Sequence, residues 1–147
     1  MNTNTFALLN DVNRGIIKLR GIYSQWSKAH DISYNEMLVL YTIREKGFCT
    51  QKQICDSYLL PRQTINNVIT GMRKNDLLEF SPDDSAGREK AFVLTEKGKA
   101  YALPLLDAMN RFEEQAVALL GDEKLAALTG LMLEYDQALR QAIKDER

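Results

Sequence analysis

The apolar residues Phe6, Leu9, Val12, Ile16, Leu19, Tyr23 and Trp26 recur at steps of three and four, with polar residues between them. That spacing draws one stripe along a helix of 3.6 residues per turn, so the chain opens on a long amphipathic helix. Ser33 and Glu36 then make a capping box, in which each side chain satisfies a backbone N–H of the first turn. Met37, Leu40, Tyr41 and Arg44 carry this second helix to Gly47, a helix-stopping residue. Thr50 and Gln53 repeat the box and open a short third helix, Thr50 to Ser57, with Ile54 and Cys55 as its inward residues. Tyr58 to Leu60 form a three-residue connection, and Pro61 has the fixed φ and missing N–H that suit the first position of a fourth helix running to about Lys74.

Beyond Lys74 the period shortens. Leu78 to Ser81 reads as a strand, Pro82 to Glu89 as a long tip rich in turn formers and charge, and Lys90 to Leu94 as a returning strand. Thr95 caps a fifth helix, in which Pro104 predicts a kink or a late start. Gly121 and Asp122 restart the chain, and Leu125, Leu128, Met132, Tyr135, Leu139 and Ile143 stripe a sixth helix. The expected fold is mostly α with a small β-hairpin wing: a winged helix-turn-helix flanked by N- and C-terminal helices. Its expected layout is one domain over residues 1–147, with the winged helix-turn-helix lobe at 33–98 and outer helical regions at 5–30 and 99–145.

The fourth helix carries the functional argument. Ile65, Val68, Ile69 and Met72 stand at i, i+3, i+4 and i+7 and make a core-facing stripe. The opposite face is then Arg62, Gln63, Asn66, Asn67, Thr70, Arg73 and Lys74, all hydrogen-bond donors and none an acid. A merely solvated helix mixes both signs of charge, whereas an acid-free face rich in amides matches what a major groove displays. Gln63, Asn66 and Asn67 have the amide geometry for adenine N6 and N7, and Arg62 suits guanine or a phosphate. Thr70, Arg73 and Lys74, nearer the helix end, suit backbone phosphates. On the hairpin, Arg88 and Lys90 are placed to enter a minor groove, where the negative potential is strong.

The net charge of −1 conceals an uneven distribution. Residues 1–43 hold 4 basic and 3 acidic groups, 44–99 hold 10 and 8, and 100–147 hold 5 and 9. The middle is the basic part, and the local field is what meets phosphate. No apolar run reaches membrane-spanning length and no secretory signal pattern opens the chain, so a cytoplasmic protein without a membrane partner is expected. There is no phosphate loop or metal-ligand cluster, and the single histidine has no nucleophile spaced to it, so neither an enzyme, a metal site nor a cofactor is expected.

From Asn35 to Leu106 the sequence resembles the MarR-type winged-helix regulators, the multiple-antibiotic-resistance regulator family. The motifs are Thr50-Gln-Lys-Gln-Ile-Cys55, Pro61-Arg-Gln-Thr-Ile65, and Gly87-Arg88 through Phe92-Val-Leu-Thr95-Glu-Lys-Gly98. Gln51 and Thr64, inside the first two, complete the candidate DNA-contacting set. The resemblance implies a homodimer whose first, fifth and sixth helices interleave, so that 5–30 and 99–145 are the N- and C-terminal dimerisation helices and 33–98 is the DNA-binding lobe. It also implies two recognition helices in successive major grooves of a pseudo-palindromic operator on double-stranded DNA. The family usually has an acid two residues before the wing arginine; here that position is Ala86, which leaves Asp83 or Asp84 to orient Arg88.

The resemblance further implies a repressor released by a small-molecule effector, often aromatic, bound beside the first two helices. Tyr23, Trp26, His30, Tyr34 and Tyr41 are the candidate lining. Relatives that sense oxidants use a cysteine in the first helix, and none stands there. Cys55 is expected to be buried packing, and Cys49, at a helix entrance, to be where a thiolate would be favoured. The rival reading is a winged-helix protein-interaction module without specific DNA binding. Such a surface would sooner show aromatics or leucines on the fourth helix than an acid-free polar face.

Overall fold

The computed structural model describes residues 1–147. In chain order the elements are α1 (Thr3–Ala29), α2 (Tyr34–Lys46), β1 (Cys49–Thr50), α3 (Gln51–Tyr58), α4 (Arg62–Lys74), β2 (Leu78–Ala86), β3 (Glu89–Leu94), α5 (Glu96–Leu120) and α6 (Asp122–Asp145). Contacts within the chain define two compact units, Met1–Leu106 and Asp107–Arg147. No helix is long and apolar enough to cross a membrane.

Both capping boxes form. Ser33 Oγ accepts from the Glu36 N–H at 3.1 Å while the Ser33 N–H donates to the Glu36 carboxylate at 3.0 Å. Thr50 and Gln53 do the same at 3.1 and 2.9 Å. Each box satisfies two backbone N–H groups that a helix start leaves without partners. Gly47 closes α2 in the left-handed region, at φ 86°. Pro61 stands at the cap of α4 rather than at its first position, so Arg62 is the first helical residue. The turn between α3 and α4 bends through Leu59, an exposed non-glycine residue at φ 50°.

The winged lobe differs from the sequence expectation in its sheet. Three strands, not two, lie in the antiparallel order β1-β3-β2, with Cys49 opposite Phe92 and Thr50 opposite Ala91. A two-residue strand has no periodicity to read; only its pairing defines it. The predicted long tip is also mostly strand. β2 continues through Pro82–Ala86 with an irregularity between Ser81 and Ala86, and the turn itself is short, centred on Gly87 at φ 58°. Side-chain bonds bridge the irregular stretch: the Ser85 hydroxyl donates to the Ser81 carbonyl at 2.7 Å and accepts from the Ala91 N–H at 2.9 Å.

Beneath the wing, Met37, Leu38, Leu40, Ile54, Ile65, Ile69, Met72 and Cys49 are fully buried. The start of α5 is sewn to the end of α4. Thr95 Oγ accepts from the Gly98 N–H at 2.9 Å and donates to the Asp76 carbonyl, while the Thr95 N–H bonds the Leu77 carbonyl at 3.1 Å. A Cβ on Gly98 would stand 2.0 Å from the Leu77 oxygen, so glycine is required here by close backbone approach. α5 starts at Glu96 and runs through Pro104 without the late start considered from sequence.

The outer helices are unlike the lobe. α6 buries none of its residues, and Leu125, Leu128, Leu131, Met132, Leu133, Leu139 and Ile143 are exposed. On α1, Phe6, Leu8, Val12, Ile16, Leu19 and Ile22 are exposed as well.

Candidate nucleic-acid interface

The two faces of α4 separate as the periodicity requires. Ile65, Ile69 and Met72 are buried and Val68 is half-buried, whereas Arg62, Gln63, Asn66, Asn67, Thr70, Arg73 and Lys74 are all exposed. Thr64 is half-buried at the edge between the faces. Burial of three large apolar side chains leaves the helix no freedom to rotate, so its polar face is held outward by the core behind it.

Several of these side chains are already paired with one another. Gln51, half-buried at the start of α3, donates Nε2–H to Asn66 Oδ1 at 2.8 Å. That bond crosses from α3 to α4 and leaves the Asn66 amide N–H groups and the Gln51 carbonyl oxygen for an outside partner. Gln63 donates likewise to Asn67 at 2.8 Å, one helical turn on. Arg73 lies over the Phe92 ring, 5.1 Å from its centroid, and so joins the end of α4 to β3.

Arg62 is placed differently from its sequence reading. Its guanidinium makes an ion pair with Glu89 of β3, a residue that the sequence did not bring forward. The Glu89 hydrogen bond, and then its charge, push the Arg62 pKa further up, so the guanidinium stays fully charged. Glu89 lies 27 residues from Arg62 along the chain, and no local motif marks the pair. Beside it, Lys52 bonds Asp56 at 2.5 Å within α3, which raises the Lys52 pKa. Arg88 and Lys90 are exposed on the wing, and Lys74 is exposed at the end of α4. Asp84 does not hold Arg88: its carboxylate accepts from the Ser81 hydroxyl at 2.7 Å.

The cysteines exchange the places expected of them. Cys49 is fully buried in β1, and desolvation pushes its thiol pKa up to about 12. The helix-entrance effect that would favour a thiolate is overwhelmed by the loss of water around the sulfur. Cys55 is only half-buried, because it lies toward the rim of the short helix while Ile54 takes the core position.

Among the candidate effector residues, the Tyr23 and Tyr34 rings meet at 5.9 Å between centroids, joining α1 to α2. Trp26 and His30 stack at 3.7 Å, and the His30 Nδ1 bonds the Trp26 carbonyl at 2.9 Å. Arg44 lies over the Tyr41 ring at 4.8 Å. Tyr23, Trp26, Tyr34 and Tyr41 are half-buried and His30 is exposed. A shallow cavity of about 420 Å³ lies in the second unit, lined by Asn110, Glu113, Glu114, Val117, Ala118 and Asp122, and includes none of these aromatics.

A helix-turn-helix whose second helix turns an acid-free polar face to solvent, followed by a hairpin that exposes Arg88 and Lys90, is the arrangement of a winged helix-turn-helix, a fold that DNA-binding regulators use. The MarR family model matches residues 30–89, the stretch from the end of α1 to the start of β3. Among solved structures, a MarR family regulator from Neisseria meningitidis is 28% identical, with a TM-score of 0.85 over 100% of both chains. Bordetella bronchiseptica BpsR, whose DNA binding is regulated by 6-hydroxynicotinic acid, is 18% identical, with a TM-score of 0.68 over 88% of this chain and 98% of that one. Staphylococcus aureus MarR, in complex with salicylate and kanamycin, is 18% identical, with a TM-score of 0.69 over 92% and 94%. No curated protein sequence matches the chain. Over residues 30–89 the chain is similar to the MarR family of transcriptional regulators, and along its whole length it shares the fold of a MarR family regulator.

Proposed function

We propose that this protein is a homodimeric repressor that binds a pseudo-palindromic operator and is released from it by a small aromatic effector. The observation that carries the reading is the α4 face, where seven exposed donors stand without an acid among them. Asn66, supported by Gln51, and the Gln63–Asn67 pair are assigned to base edges; Thr64, Thr70, Arg73 and Lys74 to the sugar-phosphate backbone; Arg88 and Lys90 to the minor groove. The dimer is supported by the exposed apolar residues of α1 and α6, which are too many for a surface meant for water. On this reading 5–30 and 99–145 form the dimerisation region around the lobe at 33–98.

The effector is supported by two structural relatives: BpsR responds to 6-hydroxynicotinic acid, and Staphylococcus aureus MarR binds salicylate as well as the aminoglycoside kanamycin, so each takes an aromatic acid. The Tyr23–Tyr34 and Trp26–His30 contacts, with Tyr41 nearby in sequence on α2, offer aromatic walls with polar edges for such a molecule. Effector binding acts by shifting the spacing of the two recognition helices, and a coupling of about 1–3 kcal/mol is enough for a roughly 5- to 150-fold change in operator affinity.

The test is selection from a pool of random duplex DNA at two salt concentrations, followed by sequencing of what is retained. The expected result is an inverted repeat with half-sites about one helical turn apart and an affinity that falls steeply with salt. Retention without symmetry or salt dependence would transfer the α4 face to a protein partner.

A further inference from the structure

We infer that Glu89 is an intramolecular stand-in for DNA phosphate, which holds Arg62 back from the nucleic-acid backbone and so limits affinity for all sequences alike. The inference rests on the DNA-binding reading above and adds to it a residue that weakens binding.

The geometry carries it. Arg62 opens the recognition helix, and its guanidinium is paired with a carboxylate that comes from the wing rather than from α4. The Arg62 side chain is 60% exposed and that of Glu89 is 29% exposed, so the arginine stays open to solvent while the acid is tucked between wing and helix. Side chains alternate along a strand, which turns Glu89 toward α4 while its neighbour Lys90 is exposed. Carboxylate and phosphate present the same kind of oxygen acceptor to a guanidinium, so the two compete for the same donors. No second acid is free to replace Glu89, because Asp56, the other acid whose charge reaches Arg62, is bonded to Lys52. An exposed ion pair adds little to folding, which makes the pair dispensable to the lobe and consequential at its surface.

The consequence is read from salt dependence. Each phosphate neutralised by a protein cation steepens the log–log slope of affinity against salt by about 0.9. Duplex binding is measured over a fourfold range of salt for the parent, Glu89→Gln, Glu89→Asp, Arg62→Gln and the Arg62→Gln/Glu89→Gln double variant, on operator and on random-sequence DNA. For two protomers on one duplex, Glu89→Gln is expected to steepen the slope by about 1.8, roughly a tenfold difference across that range. It is expected to tighten both DNAs at low salt without changing base preference. Glu89→Asp keeps the charge and stays near the parent slope. Arg62→Gln lowers the slope less in the parent than in the Glu89→Gln background, because in the parent the arginine is already neutralised.

An unchanged slope in Glu89→Gln, weaker binding, or a base preference altered at one position would each overturn the role of Glu89 while leaving the interface standing. So would an equal effect of Arg62→Gln in both backgrounds. A parent chain that binds neither DNA at any salt would overturn the interface and Glu89 together.

Discussion

Helix α4 buries Ile65, Ile69 and Met72 within its own chain and keeps only polar residues on the far side, whereas the 24 residues of α6 include none that is buried. Both helices show a 3.6-residue apolar stripe, sharper on α4 than on α6, but the stripe alone does not say which surface will cover it. The difference lies in where the complementary surface is. For α4 it is supplied by the lobe, so folding alone orients the polar face. For α6 the chain leaves Leu125, Leu128, Met132 and Leu139 open, and in the proposed dimer a second copy covers them. A helix satisfied inside its chain is available as a rigid reader, and one left unsatisfied is available for association.

Five measurements sharpen or break this contrast. The largest effect is expected from Ile69→Ala, which leaves a cavity in the lobe core and lowers unfolding free energy by about 4 kcal/mol in denaturant titration, equally at every protein concentration. Leu128→Glu on α6 should instead act through association. A charge forced into the proposed interface weakens the dimer by about 3 kcal/mol, more than a hundredfold, in sedimentation equilibrium. An unchanged dimer would show that α6 has no partner in a second copy.

Asn66→Ala should cost about 2 kcal/mol at one operator position in each half-site, and Gln51→Ala should relax preference at that same position because the two amides share a bond. If the two variants affected different positions, the pair would not act as one reader. The buried Cys49 thiol predicts a loss of stability at high pH. Its folded pKa of about 12 lies above the unfolded value, so the unfolded state loses its proton first as pH rises. Stability is therefore full below about pH 9 and falls toward pH 12 at up to about 1.4 kcal/mol per unit; Cys49→Ala should flatten that limb in pH-dependent melting. The smallest effect is expected at Leu59, which is 83% exposed in the left-handed region; Leu59→Gly should stabilise the lobe by about 0.5–1 kcal/mol by relieving that conformation.

The helix-turn-helix was legible because its signals are local. The Ser33–Glu36 and Thr50–Gln53 boxes each span four residues, and the alternation of Ile65, Ile69 and Met72 with donors is contained in thirteen. Such patterns report the two sides of one element, which is all that a helix needs to declare its faces. The wing was legible only in outline. β1 is too short to show a period, and the stretch Pro82–Ala86 reads as a loop because its turn-forming residues are held extended by Ser85, through bonds to Ser81 and Ala91.

What the sequence determined by itself is therefore the set of helices, the acid-free face of α4 and the family motifs along residues 50–98, since each depends on neighbours a few positions apart. The tertiary structure decided which candidates act together. Gln51 reaches Asn66 across 15 positions, Arg62 reaches Glu89 across 27, and Cys49 rather than Cys55 takes the buried site. Those pairings follow from the packing of α3, α4 and β3 on a common core. The distance between two side chains on different elements is set by that packing, and no local pattern encodes it.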